Sequence, residues 1–271
     1  MSSFAYYTAK VKQRFFTRLG REKSRIRKLP RHTEGQVTLF GKKFTFHDNL
    51  SFLDSYKEIF EHEIYRFPDD GKGKTILDCG ANMGLSVLFF AINYPDHQII
   101  AFEPDDAIYP VLKKNVAAYD LKNVQLIKKA VWNKEEVLEF FTDAGMGGRI
   151  GDAYSNQPPK RIEAVRLRDF ISDDTSFLKI DIEGAEYQVL TDCRDVLKKV
   201  NRIFFEYHGH YKDPQTLHEL LLILRDNGFH YYIKESSTRS KPFVERGLIC
   251  EAFDMAINIF GYRDPLPAAS S

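Results

Sequence analysis

Six titratable residues stand at the carboxyl ends of apolar runs in this chain: Asp78, Glu103, Asp181, Glu183, Glu206 and His208. Residue types of this kind bind cations, accept hydroxyl hydrogens, or move protons. Asp78 closes the run Thr75-Ile-Leu-Asp78 and leads into Cys-Gly80-Ala-Asn82-Met-Gly84, where the apolar stretch Leu85 to Tyr94 begins. A strand that ends in glycines and feeds a helix brings backbone N–H groups to a ligand with no Cβ in the way. The spacing is Asp-x-Gly-x-x-x-Gly and not the Gly-x-Gly-x-x-Gly of dinucleotide sites. A carboxylate in place of one pyrophosphate-clamping glycine suits a ligand that carries an ammonium group.

The next apolar run, Gln98 to Phe102, ends on Glu103-Pro104-Asp105. An acid about twenty positions past the glycine turn, at the tip of the second parallel strand, can accept both ribose hydroxyls of an adenosine. Asp78, Gly80, Asn82, Gly84 and Glu103 are therefore the candidate cofactor residues, joined by Ala130 and Val131 at the end of the third strand. An adenosine with a cationic tail is what they specify, and S-adenosylmethionine fits.

Asp181, Glu183, Glu206 and His208 remain for the acceptor of a methyl group. Displacement at a sulfonium needs the nucleophile held in line and, for a hydroxyl, its proton removed as the bond forms. Asp181 is the first candidate base or metal ligand, and His208 the second candidate base. Asp181, Glu183 and Glu206 together could hold a hard divalent cation such as Mg2+ through oxygens. Glu206 and His208 have a plainer alternative, capping helices or pairing with Lys179 or Arg202.

The elements that must position these groups alternate from Lys74 onward, the pattern of a doubly wound parallel sheet. A helix from Asp105 or Asp106 to about Tyr119 precedes a third strand over Val124 to Val131. Glu136 to Phe141 is expected to pair with Arg161 to Leu167 across an irregular stretch, 142–160, whose Gly145-Met-Gly-Gly-Arg149 reads as a mobile loop on the substrate side. Strands four and five are Ser176 to Asp181 and Arg202 to His208, each followed by a helix. His230 to Lys234 and Gly247 to Phe260 close the sheet as a reversed hairpin at one edge. Ahead of this domain, residues 1–73 supply a basic arm, a hairpin around Gly41 and a helix from Phe52 to Tyr65 with Ser51 as its cap.

Composition narrows the setting. Hydrophobic content of 43% and a net charge of +1 describe an ordinary soluble domain with no global pull toward nucleic acid. Three cysteines, in or beside apolar segments, make neither a disulfide framework nor a metal cluster and point to a reducing cytoplasm. No run approaches the roughly 18 apolar residues of a membrane span. Residues 1–31 carry ten lysines and arginines, from Lys10 to Arg31, against the single acid Glu22. With Phe15, Phe16, Leu19 and Ile26 interleaved, this arm is either a solvated appendage or a peripheral contact to an anionic membrane at its inner face.

Ile76-Leu-Asp-Cys-Gly-Ala-Asn-Met-Gly84, Ala101-Phe-Glu-Pro-Asp105, Leu178-Lys-Ile-Asp-Ile-Glu-Gly-Ala-Glu186 and Ile203-Phe-Phe-Glu206 resemble the FkbM family of S-adenosylmethionine-dependent methyltransferases. The resemblance covers about residues 74–235. It implies a Rossmann-like class I methyltransferase fold over 74–271, with a seven-stranded, mostly parallel sheet ending in a reversed strand. It also implies O-methylation, of a sugar in a cell-surface glycan or of a secondary metabolite. Asp78, Gly80, Asn82, Gly84 and Glu103 would bind cofactor, and Asp181 and Glu183 would sit at its methyl end. An RNA or protein methyltransferase, a nicotinamide oxidoreductase and a non-catalytic cofactor-binding scaffold are the rival readings.

Overall fold

The computed structural model describes residues 20–142, 148–150, 159–237, 239–245, 247 and 253–263, with backbone alone for 142 and 148–150. Most of the basic arm and most of the Gly145 to Arg149 segment lie outside the described residues. So do residues 248–252 of the expected closing strand.

A helical segment over residues 20–26 leads to a hairpin, β1 (Gly35–Leu39) and β2 (Lys42–Phe46), turned at Phe40 and Gly41 with both φ angles positive. Helix α1 (Asn49–Tyr56) comes next and widens into a π-helical turn, Lys57–Glu61. Its cap is Asp48 and not Ser51: Asp48 Oδ1 accepts both the backbone N–H and the hydroxyl of Ser51 at 2.9 Å. The helical segment begins at Asn49 and ends at Glu61, earlier at both ends than its apolar spacing predicts; at the C-terminal end the turn closes at His62 and Glu63 takes a left-handed φ. Phe44, Phe46, Phe52 and Tyr56 pack in one core with Phe89, Phe90 and Phe177, so the N-terminal elements share the main domain's interior.

From β3 (Thr75–Cys79) the chain alternates through α2 (Leu85–Asn93), β4 (Gln98–Phe102), α3 (Tyr109–Ala118) and β5 (Val124–Ile127). Two expectations shift here. Helix α3 begins at Tyr109, where Pro110 presets the first turn, because Asp105 bends back to accept the Ala107 N–H at 2.6 Å. The third strand is broken in two. Lys128 and Lys129 interrupt it, salt-bridged to Asp106 at 2.6 Å and to Glu163 at 2.8 Å. Two adjacent cations that both need water cannot continue a strand covered on both faces. The second piece, β6 (Ala130–Trp132), belongs to another sheet with β7 (Glu136–Thr142), β8 (Gly148–Ile150) and β9 (Lys160–Arg166), in the order β6-β9-β7-β8.

The chain returns to the main sheet with β10 (Thr175–Ile180), α4 (Glu186–Asp192), β11 (Arg202–His210), α5 (Leu217–Asp226), β12 (His230–Glu235) and β13 (Phe253–Tyr262). Seven strands lie in the order β12-β13-β11-β10-β3-β4-β5. All run parallel except β13, which is antiparallel to both of its neighbours and sits inside the edge pair. The switch point, where successive strands part to opposite sides, falls between β3 and β10. Ligands of open α/β sheets bind there, beyond the carboxyl ends of the strands. Among the described residues no helix is long and apolar enough to cross a membrane.

Candidate functional site

The turn after β3 is built from left-handed residues: Gly80 at φ +82, Asn82 at +48 and Gly84 at +92. Gly80 is fixed by crowding as well as by conformation. A Cβ there would lie 1.9 Å from the Asp181 carbonyl oxygen, since the turns after β3 and β10 touch at that point. Gly84 starts α2, and a Cβ on it would meet a Leu112 methyl at 2.7 Å. Asn82 tolerates its strained φ by bonding its own Oδ1 to the Met83 N–H at 2.7 Å.

Glu103 ties this turn to the next strand. Its Oε2 accepts the Asn82 N–H and its Oε1 the Asp105 N–H, each at 2.9 Å. Burial pushes its carboxyl up to about 7, with neighbouring Asp105 adding to the rise and the two N–H donors opposing it. Glu103 thus stands at the β4 tip with backbone donors holding its orientation.

Asp78 takes a different place from the one its motif suggests. It is fully buried and does not line the cavity. Its Oδ2 accepts the Ser86 hydroxyl at 2.6 Å, and its Oδ1 lies 3.2 Å from Lys179 Nζ. Lys179 projects from β10 beneath the glycine turn, donates to the Gly80 carbonyl at 2.8 Å and the Cys79 carbonyl at 3.3 Å, and lies 3.7 Å from Asp181 Oδ2. Burial disfavours its charge, but Asp78 and Asp181 more than compensate and raise its pKa. The protein thus builds in the ammonium that the motif suggests would come from the ligand. Asp78 supports the floor through it.

Beyond β10, the segment 181–184 curls over the sheet with Glu183 at φ +56 and Gly184 at +99. Glu186, buried at the start of α4, shapes this curl: its carboxylate accepts the N–H groups of Ile182 (3.2 Å) and Gly184 (3.0 Å). The same carboxylate lies 3.1 Å from His208 Nδ1, while His208 Nε2 faces Glu183 Oε2 at 3.6 Å. Burial opposes a charged His208, yet Glu183 and Glu186 overcome it and hold the imidazole well above its ordinary pKa. Burial also raises Glu183, to about 8, and Glu206, to about 7, with Asp181 contributing to both.

These groups surround one cavity of about 550 Å³. At one end stand Gly80, Asn82, Glu103, Ile108, Ala130 and Val131; at the other Asp181, Glu183, Glu206 and His208, faced by Asp54, Glu58 and Lys57 from α1 and its π-turn. The structure therefore gathers every sequence-predicted site residue on one rim except Asp78 and Gly84, which lie just behind it. Sequence pattern alone does not single out Lys179 and Glu186, although both lie within the Leu178 to Glu186 string. Glu58 escapes it altogether, because nothing local connects that residue to a strand end more than a hundred positions later.

A seven-stranded sheet with a reversed inner strand, a glycine turn and an acidic tip after the second strand is the architecture of class I methyltransferases. A crystallised S-adenosylmethionine-dependent methyltransferase from Agrobacterium tumefaciens has the same fold, with a TM-score of 0.52 at 12% identity over 88% of this chain and 72% of that one. Residues 78–231, more than half of the chain, match the Methyltransferase FkbM domain, and the protein belongs to that family. Among curated relatives, the methyltransferase sdnD of Sordaria araneosa is 29% identical over 63% of this chain and 62% of its own length. The 31-O-demethyl-FK506 methyltransferase FkbM of Streptomyces tacrolimicus is 25% identical over 64% and 80%, and the 2-O-methyltransferase NoeI of Sinorhizobium fredii 26% over 55% and 68%. The match to sdnD spans less than two thirds of that relative.

Proposed function

We propose that this protein transfers a methyl group from S-adenosylmethionine to a hydroxyl, on a saccharide or a secondary metabolite. One observation carries the reading: a single cavity joins Glu103 and the Asn82 turn at one end to Asp181 and its acidic neighbours at the other. The donor supplies a methyl on a sulfonium; the oxygen's electron pair forms the new C–O bond while the S–C pair stays on sulfur as a neutral thioether.

The chain's own residues support that chemistry. Glu103 has oxygen lone pairs left over from its two N–H donors, enough to accept ribose hydroxyls. Ile108, Ala130 and Val131 give an apolar lining for a purine. The Gly80 and Asn82 backbone borders the space for an amino-acid tail. At the far end Asp181 assists departure of the hydroxyl proton. Two of the matched relatives are named for O-methylation, which favours a hydroxyl acceptor.

The test is incubation of the purified protein with methyl-labelled S-adenosylmethionine and fractionated glycans, nucleotide sugars and small-molecule extracts. Label in a base-stable ether is expected. Label entering RNA or protein alone would overturn the acceptor class, and no label with any fraction, alongside tight cofactor binding, would leave a scaffold.

A further inference from the structure

The acceptor end of the cavity carries a donor set with more order than a chance cluster of acids. One ligand atom each of Asp181, Glu206 and His208 falls within 4.8 Å of the other two. Glu206 and His208 lie on β11, and Asp181 directly follows β10, whose last residue Ile180 pairs with Phe205 beside them. The sequence points instead to Asp181, Glu183 and Glu206, but the left-handed turn at Glu183 carries its carboxylate toward the histidine.

A second observation is independent of the cluster. Glu186, anchored by two backbone N–H groups, holds His208 through Nδ1 at 3.1 Å. A carboxylate fixed behind a histidine is the outer-shell arrangement of metal-bound histidines; the other ring nitrogen, Nε2, has Glu183 Oε2 at 3.6 Å and lines the cavity. Octahedral bonds of about 2.1 Å set ligand atoms about 3 Å apart when adjacent and about 4 Å apart when opposite, so the three groups need only draw in slightly. Small rotamer adjustments therefore suffice.

We propose that Asp181, Glu206 and His208 bind one divalent cation of the Mg2+/Mn2+ class, with open positions facing the acceptor. The ion takes the Nε2 lone pair of His208, and any proton held at that nitrogen is released to water. The ion's role in catalysis rests on the methyl-transfer reading: an acceptor hydroxyl beside it loses its proton to water more easily, and Asp181 acts as ligand and not as base. The ion's binding does not rest on that reading.

The experiment titrates MnCl2 into chelator-stripped protein, following free Mn2+ by electron paramagnetic resonance with neither donor nor acceptor present. One ion per chain is expected in the wild type, with affinity at least tenfold weaker in Glu206→Gln and in His208→Asn. Glu186→Gln should weaken it less while leaving one site. Melting curves and S-adenosylmethionine binding serve as controls for folding. No Mn2+ binding by the wild type, or unchanged binding in both folded ligand variants, overturns the proposal. Mn2+ binding without methyl transfer to any fraction would sink the enzyme reading and leave the site standing.

Discussion

Lys179 Nζ lies 3.2 Å from Asp78 Oδ1, and both side chains are closed off from water. Each strand alone would be unstable with such a charge inside it. Paired across β3 and β10, Asp78 keeps Lys179 in place, and Lys179 donates to the carbonyls of Cys79 and Gly80 at the entry to the glycine turn. Removing one member strands the other, which costs about 3–5 kcal/mol for a buried pair. Lys179→Met is expected to lower the melting temperature sharply, and Asp78→Asn combined with Lys179→Met to recover much of the loss. Thermal unfolding followed by circular dichroism checks this. Additive damage in the double variant would mean that the pair is not the unit described.

Glu103 gives a pH signature with two opposite signs. Its folded-state carboxyl is pushed up from 4.5 to about 7, so between those values the native state holds a proton that the unfolded chain releases. Apo stability contributed by this group is complete below about pH 4.5 and is lost as pH rises toward 7, by about 3 kcal/mol at 1.36 kcal/mol per unit. Ligand binding runs the other way, because ribose hydroxyls donate to the ionised form. Affinity for S-adenosylmethionine should therefore rise through pH 7, and Glu103→Ala should weaken it by about 1–3 kcal/mol. Calorimetry from pH 5.5 to 8.5 measures both; a flat profile in the wild type removes Glu103 from the ribose.

Gly80 tests the contact between the two loops. A Cβ would overlap the Asp181 carbonyl oxygen at 1.9 Å and would also strain a φ of +82. Gly80→Ala must therefore shift the Asp181 backbone, and with it the acceptor end, and not merely narrow the cofactor end. Loss of stability by about 1–3 kcal/mol together with loss of transfer is expected. Gly41→Ala, equally strained at φ +82 but with open space around it, should cost stability alone. Equal transfer rates for the two variants at matched stability would remove the loop contact from the mechanism.

Legibility in the sequence tracks how local each signal is. The turn from Asp78 to Gly84 and the tip at Glu103 are readable because a strand, a glycine bend and a helix leave their marks within a dozen residues. β4 occupies the apolar run Gln98 to Phe102 itself. The sealing of Asp78 is not readable, because it depends on a lysine a hundred positions away that only the sheet order brings alongside. The third strand misleads for the opposite reason: Val124 to Val131 is apolar enough overall to hide that Lys128 and Lys129 divide it between two sheets. Glu183 and Glu186 look equivalent in sequence. A left-handed backbone at one and a helix start at the other separate them, and His208 then lies between the two.

Asp48 joins the end of the basic segment to the domain, and its effect on stability has the sign opposite to Glu103. Its Oδ2 accepts from Arg31 Nε at 2.7 Å and the His32 N–H at 2.8 Å, while Oδ1 caps α1 through Ser51. Burial alone would raise its pKa, but Arg31 and the N–H and hydroxyl donors outweigh that and hold the carboxyl well below its ordinary value. The stabilisation is therefore complete above about pH 4 and is lost as acid protonates the native carboxylate. Asp48→Ala should cost about 1–3 kcal/mol at pH 7, the loss of a helix cap together with a buried charge-assisted pair. Asp48→Asn keeps an acceptor for Ser51 and should retain part of the cap while losing the attraction to Arg31. Urea unfolding at pH 7 and pH 3 reads the difference: the gap between wild type and Asp48→Asn should shrink at the lower pH, and a gap that stays constant would mean that the carboxylate's charge contributes nothing.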